Sequence, residues 1–231
     1  MFRDYLLYYS FPNGVEAFST MVTDAPNDGL PYPVLQMHQV HGDKIAVITD
    51  RDTTREDLQG YDAMMTNLPN LAIGARSADC VPILLYDSHH QAIAAVHSGW
   101  RGTVLHISQK ALARMAEVYQ TRAEDVYAVI GPSISAAAFQ VGEEVVEAFR
   151  NSGFPMDKIY SWRGEKDGTL CTGHHLDLWA ANQWLLQESG VFSERIHVSG
   201  ICSYSDVRFH SARREKENKC QRTINAIRLI F

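Results

Sequence analysis

Short apolar, β-rich runs recur along the chain: YLLYYSF, VEAFSTMV, KIAVIT, DAMMTN, LAIGARSA, VPILLYD, QAIAAVHSG, YAVIGPS, RIHVSGICSYS and TINAIRLIF. Polar residues or Gly, Pro, Asn and Asp turns bound most of them, so each reads as a strand. Between Asp62 and Gly99 the runs follow one another across short turns, which predicts consecutive antiparallel strands.

Three stretches change period. After Gly102, Val104, Ile107, Ala111, Met115 and Val118 recur at helical spacing, with Thr103 placed to cap the helix. VGEEVVEAFRNSG puts Glu143 and Glu144 in a first helical turn and stops at Gly153. LDLWAANQWLLQESG sets Leu178, Ala181 and Leu185 on one face and stops at Gly190. Strands and helices mix without strict βαβ alternation, which points to an α+β fold whose sheets are covered by helices. At 231 residues and 45 % apolar composition the chain can bury one large core, so residues 1–231 are read as a single compact domain. Residues 152–175, rich in Gly, Lys and Asp, read as a surface excursion.

Charge and cysteine usage narrow the function classes. The net charge is −6 and the basic residues are scattered, apart from a knot near 213–219. That disfavours a nucleic-acid partner and favours a small molecule or a protein. The start MFRDYLLYYSFPNG has Asp4 among aromatics, no basic region and an early Pro12, unlike a signal peptide. No apolar run approaches the roughly 18 residues of a membrane span, and the expected location is cytoplasmic. Cys80, Cys171, Cys202 and Cys220 lie far apart with no CxxC pair, which is neither a disulfide framework nor a zinc ribbon.

Candidate chemistry centres on His41, Cys80 and His97, each beside a predicted strand end. A hairpin turning around Asp87–Gln91 sets Val81–Tyr86 against roughly Ala92–His97, so Cys80 and His97 share one end. If His41 joins them, one thiolate and two imidazoles bind a metal such as zinc and leave a fourth position open, as in catalytic sites. The separations match no local zinc signature. A Cys–His pair serves equally as a thiol nucleophile and its base, and each residue taken alone could be structural.

The strings QVHG (39–42), DAMMTN (62–67), LAIGARSADCVPILLYD (71–87), AAVHSGWRGT (94–103), IGPSISAAAFQVGEEV (130–145), HLDLWAANQWLL (175–186) and CSYSDVRFHSARRE (202–215) occur in this order. Together they closely resemble the bacterial polyphenol-oxidase or laccase-domain family, also called the peptidoglycan-editing-factor family. The resemblance implies a four-layer α/β/β/α sandwich of mixed sheets, with zinc rather than copper on His41, Cys80 and His97. It also implies phosphorolysis of adenosine, inosine, guanosine and methylthioadenosine, and deamination of adenosine, with purine nucleoside and phosphate as the small-molecule partners. Two departures bear on the substrate mouth. The segment before QVHG is shorter than the family's and lacks its glycine-rich turn, and Cys220-Gln221-Arg222 stands where the family has Thr-Gly-Arg.

Phosphorolysis requires an anion clamp, for which Arg101 at a helix entry is the first candidate and Arg213–Arg214 the next. Asp79 adjoins a ligand, although strand alternation would turn it away. Arg76 could face either way on its strand, and His38 reads as a bystander. The HxE…PCxxC pattern of known zinc nucleobase deaminases is absent. None of the ten histidines forms an HxH pair, so a multicopper oxidase ranks low. Two other classes remain as alternatives: a Cys80/His97 thiol hydrolase or amidase acting on peptidoglycan precursors, and a non-enzymatic zinc-stabilised interaction module.

Overall fold

The apolar runs assemble into two stacked sheets in the computed structural model, which describes residues 5–12, 14–22, 30–164, 172–215 and 221–231. The strands are β1 (Leu6–Tyr9), β2 (Val15–Thr20), β3 (Val34–Gln36), β4 (Ile45–Val47), β5 (Ala63–Thr66), β6 (Ala72–Ser77), β7 (Val81–Asp87), β8 (Ala92–Ser98), β9 (Val126–Ile130), β10 (Gln140–Val141), β11 (Tyr160–Arg163), β12 (Gly173–Leu176), β13 (Ile196–Val198) and β14 (Thr223–Leu229). The helices are α1 (Trp100–Val104), α2 (Ile107–Tyr119), α3 (Glu143–Asn151), α4 (Met156–Ile159), α5 (Leu178–Glu188) and α6 (Ala212–Glu215).

One sheet runs β13-β9-β7-β8-β5-β4 and the other β1-β2-β14-β6-β3, each mixing parallel and antiparallel pairs. A third, small sheet runs β10-β12-β11. Every residue of β7 and β8 is buried, because this hairpin is covered on both faces. Its inner face, including Leu84, Tyr86, Ile93 and Ala95, packs on Ala17, Ile73, Ala75 and Ile227 of the five-stranded sheet. Its outer face, including Ile83, Leu85, Ala94 and Val96, packs on Ala111 and Met115 of α2, Phe149 of α3 and Leu185 of α5.

The expected α+β sandwich of mixed sheets is therefore present. Helices form its layer over the six-stranded sheet. Over the five-stranded sheet, Phe18, Ile224 and Ala226 are met by Leu30, Tyr32 and Val34, so among the described residues that layer is thin. No helix among the described residues is long and apolar enough to cross a membrane.

Two local expectations are corrected. The strands between Asp62 and Gly99 do not form one antiparallel run, because β6 leaves for the other sheet and pairs with β14 and β3. Its alternation explains the departure: Ile73 and Ala75 face the space between the sheets, while Gly74 admits the Val34 side chain, which would lie 2.7 Å from an added Cβ. The helix after Gly102 begins earlier and breaks. His106 sits at φ 59°, its ring held by Gln109 Oε1 at 2.9 Å and the Ser152 carbonyl at 3.1 Å, and separates α1 from α2. Thr103 lies inside α1, donating to the Gly99 carbonyl at 3.0 Å instead of capping.

The stretch 152–175 contains α4 and the β11–β12 pair. Cys171 and Cys220 lie outside the described residues, while Cys80 and Cys202 are free thiols.

Candidate metal centre

The site forms where the chain passes between the two sheets. His41 lies on the connection from β3 to β4, and Cys80 on the one from β6 to β7. Both connections change sheets, and both turn through left-handed residues, His41 at φ 63° and Asp79 at φ 82°. His97 arrives from β8, one register step from the expected pairing: Val81 faces Ser98 and Pro82 faces His97. Pro82 costs the adjacent β7–β9 ladder nothing, because that ladder begins at Ile83 opposite Ile130.

The donor atoms of His41, Cys80 and His97 all lie within 4.8 Å of one another. The His41 and His97 rings meet edge to face with centroids 4.9 Å apart. Tetrahedral zinc with bonds of roughly 2.0–2.3 Å sets its ligands roughly 3.3–3.8 Å apart, so a small contraction would close these three on an ion. Glycine at 99 makes the approach feasible, since a Cβ there would sit 3.1 Å from Cys80 Sγ and 3.1 Å from His41 Cδ2. Among the described residues, this is the one His/Cys/Asp/Glu cluster with such spacing. It could hold a metal ion.

Asp62 was not anticipated, and it organises the cluster. Its Oδ1 lies 2.8 Å from His97 Nδ1 and accepts the His41 amide at 2.9 Å. Its Oδ2 accepts the amides of Val40 at 3.1 Å and Gly42 at 2.8 Å. With Nδ1 taken, His97 is left to present Nε2 as its ligand atom. Burial opposes the charge on Asp62, but the hydrogen bonds from His97, Gly42 and Val40 outweigh it and hold the carboxyl below its usual range. The available signal was a lone acid heading an otherwise wholly apolar strand start.

Burial likewise opposes a thiolate at Cys80. The His97 charge and the hydrogen bonds from His41 and His97 overcome it and bring the thiol down to about 6. His97 moves the other way: burial favours its neutral form, yet Cys80 and Asp62 raise it. A deprotonated sulfur beside two imidazoles is the donor set that a soft divalent cation requires.

The cluster opens onto a cavity of about 650 Å3. Met37, Trp100, Ile134 and Phe139 supply apolar wall, while Arg55, Arg76, Arg213 and Arg222 supply positive charge. Of the four polar candidates read from the sequence, Asp79 and Arg213 line this cavity and Arg101 and Arg214 do not. Arg101 stacks on the Trp100 ring at 4.4 Å. Arg214 is tied to the carbonyls of Ser203, Tyr204 and Phe209 and to Glu215. Asp79, which strand alternation would turn away, faces the cavity because it lies past the end of β6 in a left-handed turn at φ 82°. It accepts from Ser203 Oγ at 2.7 Å and from the Arg213 amide at 2.8 Å. His38, expected to be a bystander, lines the cavity.

A family described as multi-copper polyphenol oxidoreductase laccase matches residues 19–230. A purine nucleoside phosphorylase of Bacteroides thetaiotaomicron is 48 % identical over 161 residues, covering 69 % of this chain and 58 % of that protein. Adenosine deaminase RL5, from an unknown prokaryotic organism, is 39 % identical over 183 residues, covering 76 % of this chain and 68 % of its own length. Purine nucleoside phosphorylase YlmD of Bacillus subtilis is 32 % identical over 195 residues, covering 82 % and 68 %. Among solved structures, the hypothetical protein YfiH of Bacillus licheniformis superposes with a TM-score of 0.81 at 26 % identity, over 93 % of this chain and 92 % of that one. YlmD of Geobacillus stearothermophilus shares the fold, with a TM-score of 0.85 at 24 % identity over 99 % and 97 % of the two chains.

Proposed function

The chain belongs to the multi-copper polyphenol oxidoreductase laccase family, and we propose that it is a zinc-dependent purine nucleoside phosphorylase that also deaminates adenosine. The observation that carries this reading is the opening of the His41–Cys80–His97 cluster onto a cavity with apolar walls and an arginine-rich side. Relatives named purine nucleoside phosphorylase and adenosine deaminase support it.

Zinc held there would supply a Lewis acid for a substrate oxygen or for water. The chain's own residues do the remaining work. Asp62 fixes the tautomer and the ring plane of His97. Trp100, Phe139 and Met37 offer flat and flexible apolar surface of the kind a purine ring stacks on. The cavity volume falls within the range of small-molecule sites, so a nucleoside and an anion can share it.

Copper oxidase chemistry fits these residues poorly. Four-electron reduction of oxygen needs a multinuclear copper centre, and the described residues bring together one mononuclear donor set. A second reading, the Cys80/His97 thiol hydrolase, draws support from the lowered Cys80 thiol. It leaves His41 only a supporting hydrogen bond to the thiol, although the His41 donor atom lies within 4.8 Å of those of Cys80 and His97.

Chromatography of adenosine incubated with the purified protein, with and without phosphate, separates these readings. Phosphate-dependent release of adenine, lost on chelation and in Cys80→Ala, is the expected result. Turnover that survives chelation but stops on thiol alkylation would instead establish the hydrolase. A zinc-loaded protein that converts neither nucleosides nor peptidoglycan precursors would point to the binding module.

A further inference from the structure

The cavity beside the metal cluster carries four arginines and one carboxylate, Asp79, in a chain of net charge −6. Both Asp79 oxygens are engaged by Ser203 and the Arg213 amide. The Arg213 side chain is engaged as well, donating to the Ala138 and Gln140 carbonyls at 3.0 and 2.9 Å.

Arg55 and Arg76 differ from Arg213. Neither forms an ion pair with any carboxylate among the described residues. Arg55 Nε is buried and meets no hydrogen-bond acceptor. Arg76 is half-buried at the end of β6, where burial and the neighbouring charges of Arg55 and Arg222 weaken its hold on its proton. Arg55 and Arg76 are close enough to repel one another, and among the described residues no carboxylate pairs with either. Arg222 lies beside them and donates to the Gln221 carbonyl at 3.1 Å.

The position of Arg76 is fixed. Gln39 donates to its carbonyl at 2.7 Å and accepts its amide at 2.8 Å. Gln39 is two residues from His41, so one short segment sets both the metal ligand and the arginine strand.

We infer that Arg55, Arg76 and Arg222 form an oxyanion subsite of this cavity that takes a phosphoryl group, either inorganic phosphate or the phosphate ester of a bound substrate. The guanidinium forks match a tetrahedral oxyanion bidentately, and an exposed ammonium would not. Arg101, Arg213 and Arg214 are not needed as the clamp. The role of the anion in turnover rests on the proposed function, whereas its binding does not.

Calorimetric titration of the zinc-loaded protein with inorganic phosphate, and in a second arm with adenosine 5′-monophosphate, tests the subsite. Wild type and the distant control Arg114→Met are expected to bind alike. Arg55→Met and Arg76→Met should each weaken binding by about tenfold or more. Arg55 is half-exposed, so its variant tests the site even if Arg76→Met does not fold. Phosphate binding that depends on Arg55 identifies the free anion as ligand, and binding of the monophosphate alone identifies the ester. The inference is overturned if Arg55→Met binds as wild type does, or if wild type binds neither ligand. A protein that binds phosphate through Arg55 yet turns over no nucleoside would overturn the proposed function and leave the subsite standing. Nucleoside turnover with no Arg55-dependent anion binding would do the reverse.

Discussion

Asp62 grips His97 twice: its carbonyl accepts the His97 amide at 2.7 Å, and its Oδ1 lies 2.8 Å from His97 Nδ1. The same carboxylate gathers the amides of Val40, His41 and Gly42, so one buried acid orients two of the three metal-ligand candidates. Asp62→Ala is expected to lower metal affinity by about 10–100-fold, the usual effect of removing a partner behind a histidine ligand. It should also destabilise the fold by about 1–3 kcal/mol through the orphaned amides. Competition with a chromogenic chelator reads the first effect and thermal melting the second. An Asp62→Ala protein that keeps wild-type metal affinity would show that His97 is not a ligand.

Gly99 tests convergence from the other side. Its backbone is ordinary at φ −67°, so alanine brings no strain there, only a methyl group 3.1 Å from Cys80 Sγ and from His41 Cδ2. Gly99→Ala should therefore cost about 1–3 kcal/mol, the range for overpacking, taken mainly from the metal-bound form. Chelator competition should register the loss while the melting temperature of the metal-free protein changes little. Equal affinity in the two proteins would mean that the three side chains need not close together.

In protein stripped of metal, the Cys80 thiol should react as a thiolate well below the usual 9.0. Only the thiolate attacks an alkylating agent, so a lowered pKa keeps the rate high in mildly acidic solution and the rate falls as pH drops through about 6. His97→Ala removes the charge that lowers the thiol, and the midpoint should move upward. The pH profile of iodoacetamide labelling, read by mass spectrometry at Cys80, checks both. A wild-type midpoint near 9.0 would contradict the pairing of Cys80 with His97.

Behind the site, Asn182 links α5 to the turn that follows His97. It accepts from Ser98 Oγ at 2.8 Å and donates to the Leu178 carbonyl at 2.9 Å and to Thr103 Oγ1 at 3.3 Å. All three side chains are buried, so Asn182→Ala removes the amide from a buried network and leaves Ser98 Oγ and Thr103 Oγ1 only each other, at 2.9 Å, and the Gly99 carbonyl. Denaturant unfolding should show a loss of about 1–3 kcal/mol. A loss within error of zero would place this network outside what holds the turn.

Much of the structure was legible in the sequence because local pattern and chain reversal determine it. The β7–β8 hairpin follows from two apolar runs around a polar turn, and its register places Cys80 beside His97 to within one residue. α5 follows from the Leu178, Ala181 and Leu185 stripe and the stop at Gly190, while the Asp177 cap, which accepts the Ala180 amide at 2.9 Å, shows only in the structure. What escaped depends on contacts between distant segments. The transfer of β6 to the second sheet is decided by β14, about 150 residues downstream by the Ala75–Asn225 pairing. The choice of Arg55 and Arg76 over Arg101 as cavity arginines depends on which side of a strand or helix faces the cavity, and proximity to a ligand in sequence does not determine that. Asp62 escaped because three of its partners are backbone amides and the fourth, the His97 ring, lies 35 residues away.

Titration of metal-free protein with zinc, with adenine release from adenosine followed at saturating phosphate, joins the cluster to its chemistry in one curve. The rate should rise from near zero and break at one zinc per chain, and Cys80→Ala should stay flat throughout. Full turnover without metal, or none at any zinc concentration, would contradict a zinc-dependent phosphorylase built on His41, Cys80 and His97.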